Sequence, residues 1–364
     1  APQSVEFTSP RWEIRGGEAR VEQHLGRESL YLKGGTVTLR DVDFLNGVIE
    51  FDIAVTGKRG FVGAVWRLQD DDDYEEFYIR PHQSGNPDAC QYTPVYGDLA
   101  AWQLYYGEGY GAPVKYRFDA WMHVRIVVSG KQGEVSIDSN DPVLYIRDMK
   151  REAAPGKIGV TAAKFAPAWF SGFSYTPMDA PALKIPDPAG PPRISAPGHP
   201  VERWMVSTPF AEASLAGKYV LTPSDTRDLS WVDARTEPSG ILNLASVRRI
   251  AEKSDTVFAR VTVRSDRVRV RKISFGFSDR AKIWFNGRLV YGGDNGYLTR
   301  DYRYLGTIGL FEDLYLPLRK GDNEILFAVS ESFGGWGLLC WIDDLEGIDL
   351  LTGPPAVPAA PQGP

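Results

Sequence analysis

Short runs of alternating or wholly apolar residues punctuate the chain, and no stretch longer than ten residues keeps the rhythm of an amphipathic helix. In the first half these runs fall near 29–40, 47–55, 61–68, 74–80, 101–106, 122–128, 134–138, 143–147, 157–163 and 168–176. Turn signals separate them, among them Asn46-Gly47, the Gly-Lys-Arg-Gly stretch at 57–60, Gly107 and Ser129-Gly130. The second half continues with strand-like runs at 257–263, 268–277, 282–285, 288–291, 314–318 and 324–329. Asn286-Gly287 is the strongest hairpin signal, because a type I′ turn needs positive φ at both central residues. Many short strands joined by turns predict an all-β chain of two β-sandwich, jelly-roll domains.

Seven prolines between 179 and 200 remove amide donors and favour extended backbone, so this stretch reads as a semi-rigid linker. It divides the chain into domains at 1–178 and 201–352, and the Pro/Ala/Gly-rich end at 353–364 reads as a disordered tail. Each domain is long enough to bury its own core.

Composition adds two things. The 12% aromatic share, with 10 Trp and 17 Tyr, suits sheets and stacking surfaces. A net charge of −6 without a basic block argues against nucleic acid as a partner. No apolar run approaches the roughly 18 residues that would span a bilayer. The start at Ala1-Pro2-Gln3 fits a processed, secreted or periplasmic protein. Cys90 and Cys340 lie far apart outside any metal-type spacing, and two buried free thiols are expected.

Candidate chemistry concentrates at 74–82. Read as a strand, this segment puts Tyr74, Glu76, Tyr78, Arg80 and His82 on one face, with Glu75, Phe77 and Ile79 on the other. Such a polar face suits a hydroxyl-rich ligand, an oligo- or polysaccharide above all, although a merely solvated outer face would look the same. Arg80 offers a fork of donors for a hydroxyl or an acidic group, and its proximity should keep Glu76 ionised. His82 could donate or accept a proton near neutral pH. Pro81 marks the end of the strand, which leaves the direction of His82 open. Asp88, Gln91 and Tyr92 follow as hydroxyl readers, and Trp102, Gln103 and Tyr105 as a stacking platform with an amide. Trp102 could equally be core.

Glu50 and Asp52 make a Glu-x-Asp pair on the polar face of a second strand, with side chains roughly 6.5–7 Å apart. That spacing lies between the retaining and inverting arrangements of glycosidases. His123, beside Trp121, shares a strand face with Arg125 and is a further acid/base candidate. Glu50, Asp52 and His123 are expected to join Glu76 and His82 on one working face. His24 has no supporting context. The acidic run Asp70-Asp71-Asp72-Asp73 suits a hard cation such as calcium, but lacks the spacing and glycine of a calcium loop, so a solvated hairpin is expected. Nothing in the sequence requires a cofactor.

Three segments carry a resemblance: Asn46-Gly47-Val48-Ile49-Glu50-Phe51-Asp52-Ile53-Ala54, Gly63-Ala64-Val65-Trp66-Arg67 with 74–80, and Trp121-Met122-His123-Val124-Arg125-Ile126-Val127. Together they resemble concanavalin A-like lectin/glucanase domains, in particular the laminin-G-like and 3-keto-disaccharide hydrolase-like branches. The resemblance implies two stacked, curved antiparallel sheets with carbohydrate on the concave one. The Glu50/Asp52 pair is similar to the Glu-x-Asp-x-x-Glu strand of laminarinase-like members, except that Val55 stands at the third acid. The second half, on Lys282-Ile283-Trp284-Phe285-Asn286-Gly287-Arg288 and the turn at 321–324, resembles a galactose-binding-like jelly roll.

In that second half, Trp336 in the glycine-rich loop 333–337 could stack on a sugar or pack into the other domain and complete its cleft. The resulting expectation is a secreted, carbohydrate-active protein. It would be a glycoside hydrolase or lyase in which Glu76 is base or nucleophile, His82 the proton donor, and Arg80, Tyr78 and Gln103 hold substrate. The alternatives are a lectin-like glycan-binding protein and a cell-surface adhesion protein.

Overall fold

The computed structural model describes residues 1–70, 72–184, 194 and 196–355. The chain is all-β: among these residues, helix is confined to Pro223–Thr226 and three single 3-10 turns. Two compact units, Ala1–Pro192 and Arg193–Pro364, make up the chain. Most of the Pro-rich connector from 185 on, the tail beyond 355 and Asp71 of the acidic run lie outside the described residues. No helix among the described residues is long and apolar enough to cross a membrane.

The first unit is a sandwich of two eight-stranded antiparallel sheets. The first sheet runs Leu144–Ile146, Gln132–Ile137, Trp121–Ser129, Gly47–Val55, Ala168–Pro177, Arg27–Lys33, Glu18–His24, with Gln3–Ser4 added beside Ala168–Pro177. The second runs Leu99–Ala100, Cys90–Tyr96, Asp73–Ile79, Val62–Gln69, Lys157–Ala162, Gly35–Leu39, Trp12–Arg15, with Gly111–Ala112 beside Cys90–Tyr96. Alternation does the sorting. In Gly47–Val55 the residues Ile49, Phe51 and Ile53 are buried while Glu50 and Asp52 stay partly exposed. The layers meet through contacts such as Trp12 edge-on to Phe173 at 5.0 Å.

Two expected strands fare differently. The apolar run near 29–40 is broken at Gly34, whose φ of +74° lets the chain leave the first sheet and enter the second. The run at 101–106 forms turns rather than a strand, with the Leu104 and Tyr105 amides both donating to the Ala101 carbonyl. Its apolar residues are there because the turn is packed down, with Ala101, Leu104 and Tyr105 buried.

The second unit also stacks two sheets, one of five strands and one of seven. Trp204 and Phe275 both meet Phe327 edge-on, at 5.5 and 5.6 Å. The Asn286-Gly287 turn joins Arg280–Phe285 to Arg288–Asp294 with φ of +48° and +78°, as a type I′ turn requires. Trp336 is fully buried within this unit and its indole N–H donates to the Val329 carbonyl at 2.9 Å. It is neither a sugar platform nor a surface for docking, because the glycine-rich loop folds this side chain inward and leaves Phe333 exposed instead. Cys90 and Cys340 are free and buried.

Two glycines shape the second sheet. A Cβ on Gly63 would collide with the Phe77 carbonyl, and one on Gly159 with the Val37 carbonyl, so neighbouring backbones close over both positions. Gly63→Ala and Gly159→Ala should each destabilise the unit by about 2–4 kcal/mol in urea unfolding, and Gly60→Ala by about 1 kcal/mol or less. Equal losses at all three positions would contradict this account of the close strand packing.

Candidate functional site

On the outer face of the second sheet, register builds two rows of side chains across five strands and into a sixth. One row reads Glu13, Thr38, Gly159, Val65, Glu76, Thr93; the other reads Arg15, Thr36, Thr161, Gly63, Tyr78, Gln91. The middle of both rows is glycine, threonine and valine, so the larger groups at either side stand above a low floor. Although register puts Val65 and Thr93 on this outward face, both are fully buried, so the middle of the face is a recess, called the groove below.

Glu76 sits on the groove floor. It is partly exposed, with protein around it on most sides, and forms no hydrogen bond or ion pair among the described residues. Burial raises its carboxyl to about 7, and the neighbouring Arg80 charge offsets this only in part. The expectation that Arg80 keeps Glu76 ionised is therefore corrected: desolvation outweighs the charge. Arg80 turns its fork elsewhere. It donates to the Asp88 carbonyl at 2.8 Å, to the Tyr78 hydroxyl at 3.1 Å and to the Gln91 side-chain carbonyl. Burial also raises the phenols of Tyr74 and Tyr78, which stay protonated at neutral pH.

Glu75, one residue away, shows what a structural acid looks like here. It is fully buried on the core side, accepts from the Tyr92 hydroxyl at 2.6 Å and the Arg151 amide at 3.3 Å, and feels the Arg67 charge. Tyr92 thus belongs to the core rather than to a sugar site. The same holds for Tyr105, which is fully buried with the Lys150 ammonium 4.9 Å from its ring centre, and Gln103 is fully buried as well. Gln91 is buried too, and its amide ties the Trp102 and Tyr105 carbonyls to the strand at 3.1 and 2.7 Å. It holds the 101–106 turn in place. Trp102 and Asp88 keep partial exposure beside the groove.

His82 leaves the strand face, because Pro81 opens a 3-10 turn over Pro81–Gln83. Its Nδ1 accepts from the Gly60 amide at 3.5 Å and its ring lies edge-on to Phe61. Burial, then the charges of Arg59 and Arg80, lower its pKa, so it is neutral at pH 7 and does not carry the proton a donor would need.

Glu50, Asp52 and His123 are on the outer face of the other sheet, on the far side of the sandwich from Glu76. They form a charge network of their own. His123 contacts Asp52 at 2.8 Å and Glu50 at 3.5 Å, Arg27 pairs with Asp52, and Arg125 lies 3.5 Å from Glu50. The single working face expected from sequence is therefore two faces, since Gly47–Val55 and Asp73–Ile79 belong to different sheets. This second face also holds residues that sequence reasoning passed over. His24 stacks on Trp169 at 3.9 Å, and the Arg20 guanidinium lies 3.7 Å from the Tyr31 ring centre. With those rings covered by charged or titratable side chains, the face is self-satisfied.

Asp73 of the acidic run turns inward, accepting from the Gly97 amide at 2.9 Å and pairing with Arg151 at 3.3 Å. Among the described residues no group of three or more His, Cys, Asp or Glu could hold a metal ion. Surface depressions of about 610 and 370 Å³ lie in the second unit, lined by residues such as Arg264, Asp266 and Asp349, and Val201, Glu202 and Arg203. Their acids Glu202, Asp266 and Asp349 are exposed whereas Glu76 is largely enclosed, and the groove of the first unit is the better candidate.

No known protein family and no curated protein matches the chain. Solved structures resemble part of it. The carbohydrate-binding module CBM66 from Bacillus subtilis is 13% identical, covers 45% of this chain and 93% of its own, and gives a TM-score of 0.35. A Bacillus subtilis protein of unknown function with a galectin-like fold is 11% identical over 48% of this chain and 97% of its own, also at 0.35. A GH43 protein from Bacillus licheniformis is 11% identical over 48% of this chain and 38% of its own, again at 0.35.

Because burial raises the Glu76 carboxyl, the folded state holds its proton more tightly than the unfolded chain does. Its contribution to stability is present below about pH 4.5 and is lost as pH rises to about 7. Glu76→Gln should therefore leave stability unchanged at pH 4 and increase it at pH 8 by roughly 2–3 kcal/mol in urea unfolding. A loss of stability at pH 8 would show that the carboxylate is a structural partner after all.

Proposed function

We propose that the first unit is a carbohydrate-active module that binds a glycan along the groove and uses Glu76 for proton transfer. The observation that carries this reading is Glu76 itself: a carboxyl on a groove floor, reached by solvent, with no partner among the described residues and titrating near neutrality. A group in that state takes and gives a proton with similar ease at pH 7. The isolation of Glu76 has a cost in stability, which a structural residue would have no reason to carry. The phenols of Tyr74 and Tyr78 stand two residues to either side on the same face and supply further hydroxyls for a sugar.

The acids expected to complete a two-carboxylate glycosidase do not join Glu76, since Glu50 and Asp52 face the opposite way and Glu75 faces the core. The chemistry therefore rests on one carboxyl with tyrosine neighbours. It suits elimination, with Glu76 removing a proton, or hydrolysis in which Glu76 serves a single acid or base step. The expected export, outside the cell or into a periplasm, stands with this proposal.

A binding-only, lectin-like role is the second reading. The neutral His82 and the internal bonds of Arg80 favour it, because both leave fewer groups for catalysis.

The test is product release, by mass spectrometry, from a broad panel of oligo- and polysaccharides. Wild type should cleave at least one glycan, Glu76→Gln should lose the activity by about a hundredfold or more, and His82→Ala should lose much less. Products with an unsaturated sugar end would identify elimination. Retention of a glycan without any turnover would decide for the binding protein, and neither binding nor turnover would overturn the proposal.

A further inference from the structure

One end of the groove is cationic and apolar at once. Arg80 is 6% exposed, and its three hydrogen bonds all go to neutral acceptors, the Asp88 carbonyl, the Tyr78 hydroxyl and the Gln91 amide oxygen. No carboxylate pairs with it among the described residues. Its guanidinium lies 5.0 Å from the Tyr78 ring centre and 5.8 Å from that of Phe61. By contrast the similarly buried Arg151 has Asp73 at 3.3 Å. Desolvating a guanidinium is expensive unless a counter-charge is at hand, and bonds to neutral acceptors offset only part of that expense.

The surroundings extend this positive end outward. Arg59 is exposed and lies against both Phe61 and Phe165, at 5.7 and 5.1 Å from their ring centres. Phe165 is 47% exposed and offers a bare apolar rim. His82, neutral, adds no negative charge. Of the acids beside the cluster, Glu76 forms no ion pair with Arg80 among the described residues, and Asp88 is hydrogen-bonded by the Tyr106 hydroxyl and meets Arg80 through its backbone carbonyl.

We propose that the glycan of this groove is acidic, and that Arg80, with Arg59 at the surface, receives its anionic group, a uronate carboxylate or a sulfate ester. This rests on the reading of the groove as a glycan site and names its substrate class. A planar fork with donors to spare matches either anion, and the neighbouring aromatic rim accepts the sugar ring.

The placement has a consequence for Glu76. The charge that bears on it is that of Arg80 from its own strand, while Arg15 and the Glu13–Lys157 pair stand at the far ends of the rows. Val65 and Thr93, its cross-strand neighbours, are uncharged. An anion on Arg80 would cancel the one charge that draws the Glu76 proton off. Binding should therefore raise the protonated share of Glu76, which favours its acid step over proton removal.

The experiment is calorimetry with matched pairs: tetragalacturonate against its methyl ester, κ-carrageenan tetrasaccharide against its desulfated form, and a wider panel of acidic and neutral oligosaccharides. At least one acidic member should bind on the order of tenfold more tightly than its neutral match, with an advantage that falls as salt rises. Arg59→Ala, an exposed change that should not disturb folding, should weaken the acidic member several-fold and leave the neutral one alone; Arg80→Lys should do so more strongly. Titrations at pH 7.5 in buffers of different ionisation enthalpy should show proton uptake on binding the acidic member, absent in Glu76→Gln. A uronate-only or sulfate-only preference identifies the anion. Neutral members binding equally well or better would overturn this inference and leave the glycan groove standing. No binding by any member would overturn both.

Discussion

The period of two along Asp73–Ile79 is the constraint from which the rest follows. Two adjacent glutamates cannot share a face of a strand, so the fold must give Glu75 and Glu76 different surroundings. Glu75 enters the sandwich and is met by a phenol, an amide and the Arg67 charge. Glu76 is left outside, on a floor of small residues, with no hydrogen-bond or ion-pair partner among the described residues. Burial raises both carboxyls, yet only one of them keeps its acceptor sites for a ligand. The same chemistry, placed one residue apart, is structure on one side of the sheet and candidate function on the other.

The groove is floored by the small residues of the second sheet. Gly63 and Gly159 allow neighbouring backbones to close over positions where any side chain would collide. Threonines at 36, 38, 161 and 93 keep the floor low and lined with hydroxyls. Gln91 then pins the 101–106 turn beside the edge of the sheet, and Arg80 ties Tyr78, Gln91 and the Asp88 loop together. The polar residues that sequence reasoning assigned to substrate are in part the fasteners of the site.

Much of the architecture was legible from alternation and turn chemistry. The all-β class, the strand at 47–55 with its polar Glu50 and Asp52, and the Asn286-Gly287 hairpin could be read residue by residue. The prominence of the 74–82 segment could be read too, because an acid, a base and two phenols at alternate positions are unusual on a strand. Sheet membership could not. Nothing local says that Gly47–Val55 and Asp73–Ile79 lie in different layers, and so alternation alone groups Glu50, Asp52 and His123 with a glutamate that faces the other way. Nor does composition reveal that Tyr92, Gln103, Tyr105 and Trp336 spend their polar atoms inside the protein. His24 and Trp169, far apart in sequence, became neighbours only through long-range strand pairing.

The central claim, that Glu76 is an isolated carboxyl held near neutrality, can be measured without knowing the ligand. A pH titration of the protein with 13C-labelled glutamate side chains, run beside Glu76→Gln, would follow each carboxyl by NMR. One resonance, missing from the variant, should titrate near pH 7. If that resonance instead titrates in the ordinary glutamate range, around 4.3, Glu76 is a plain surface acid and the groove loses its chemical centre.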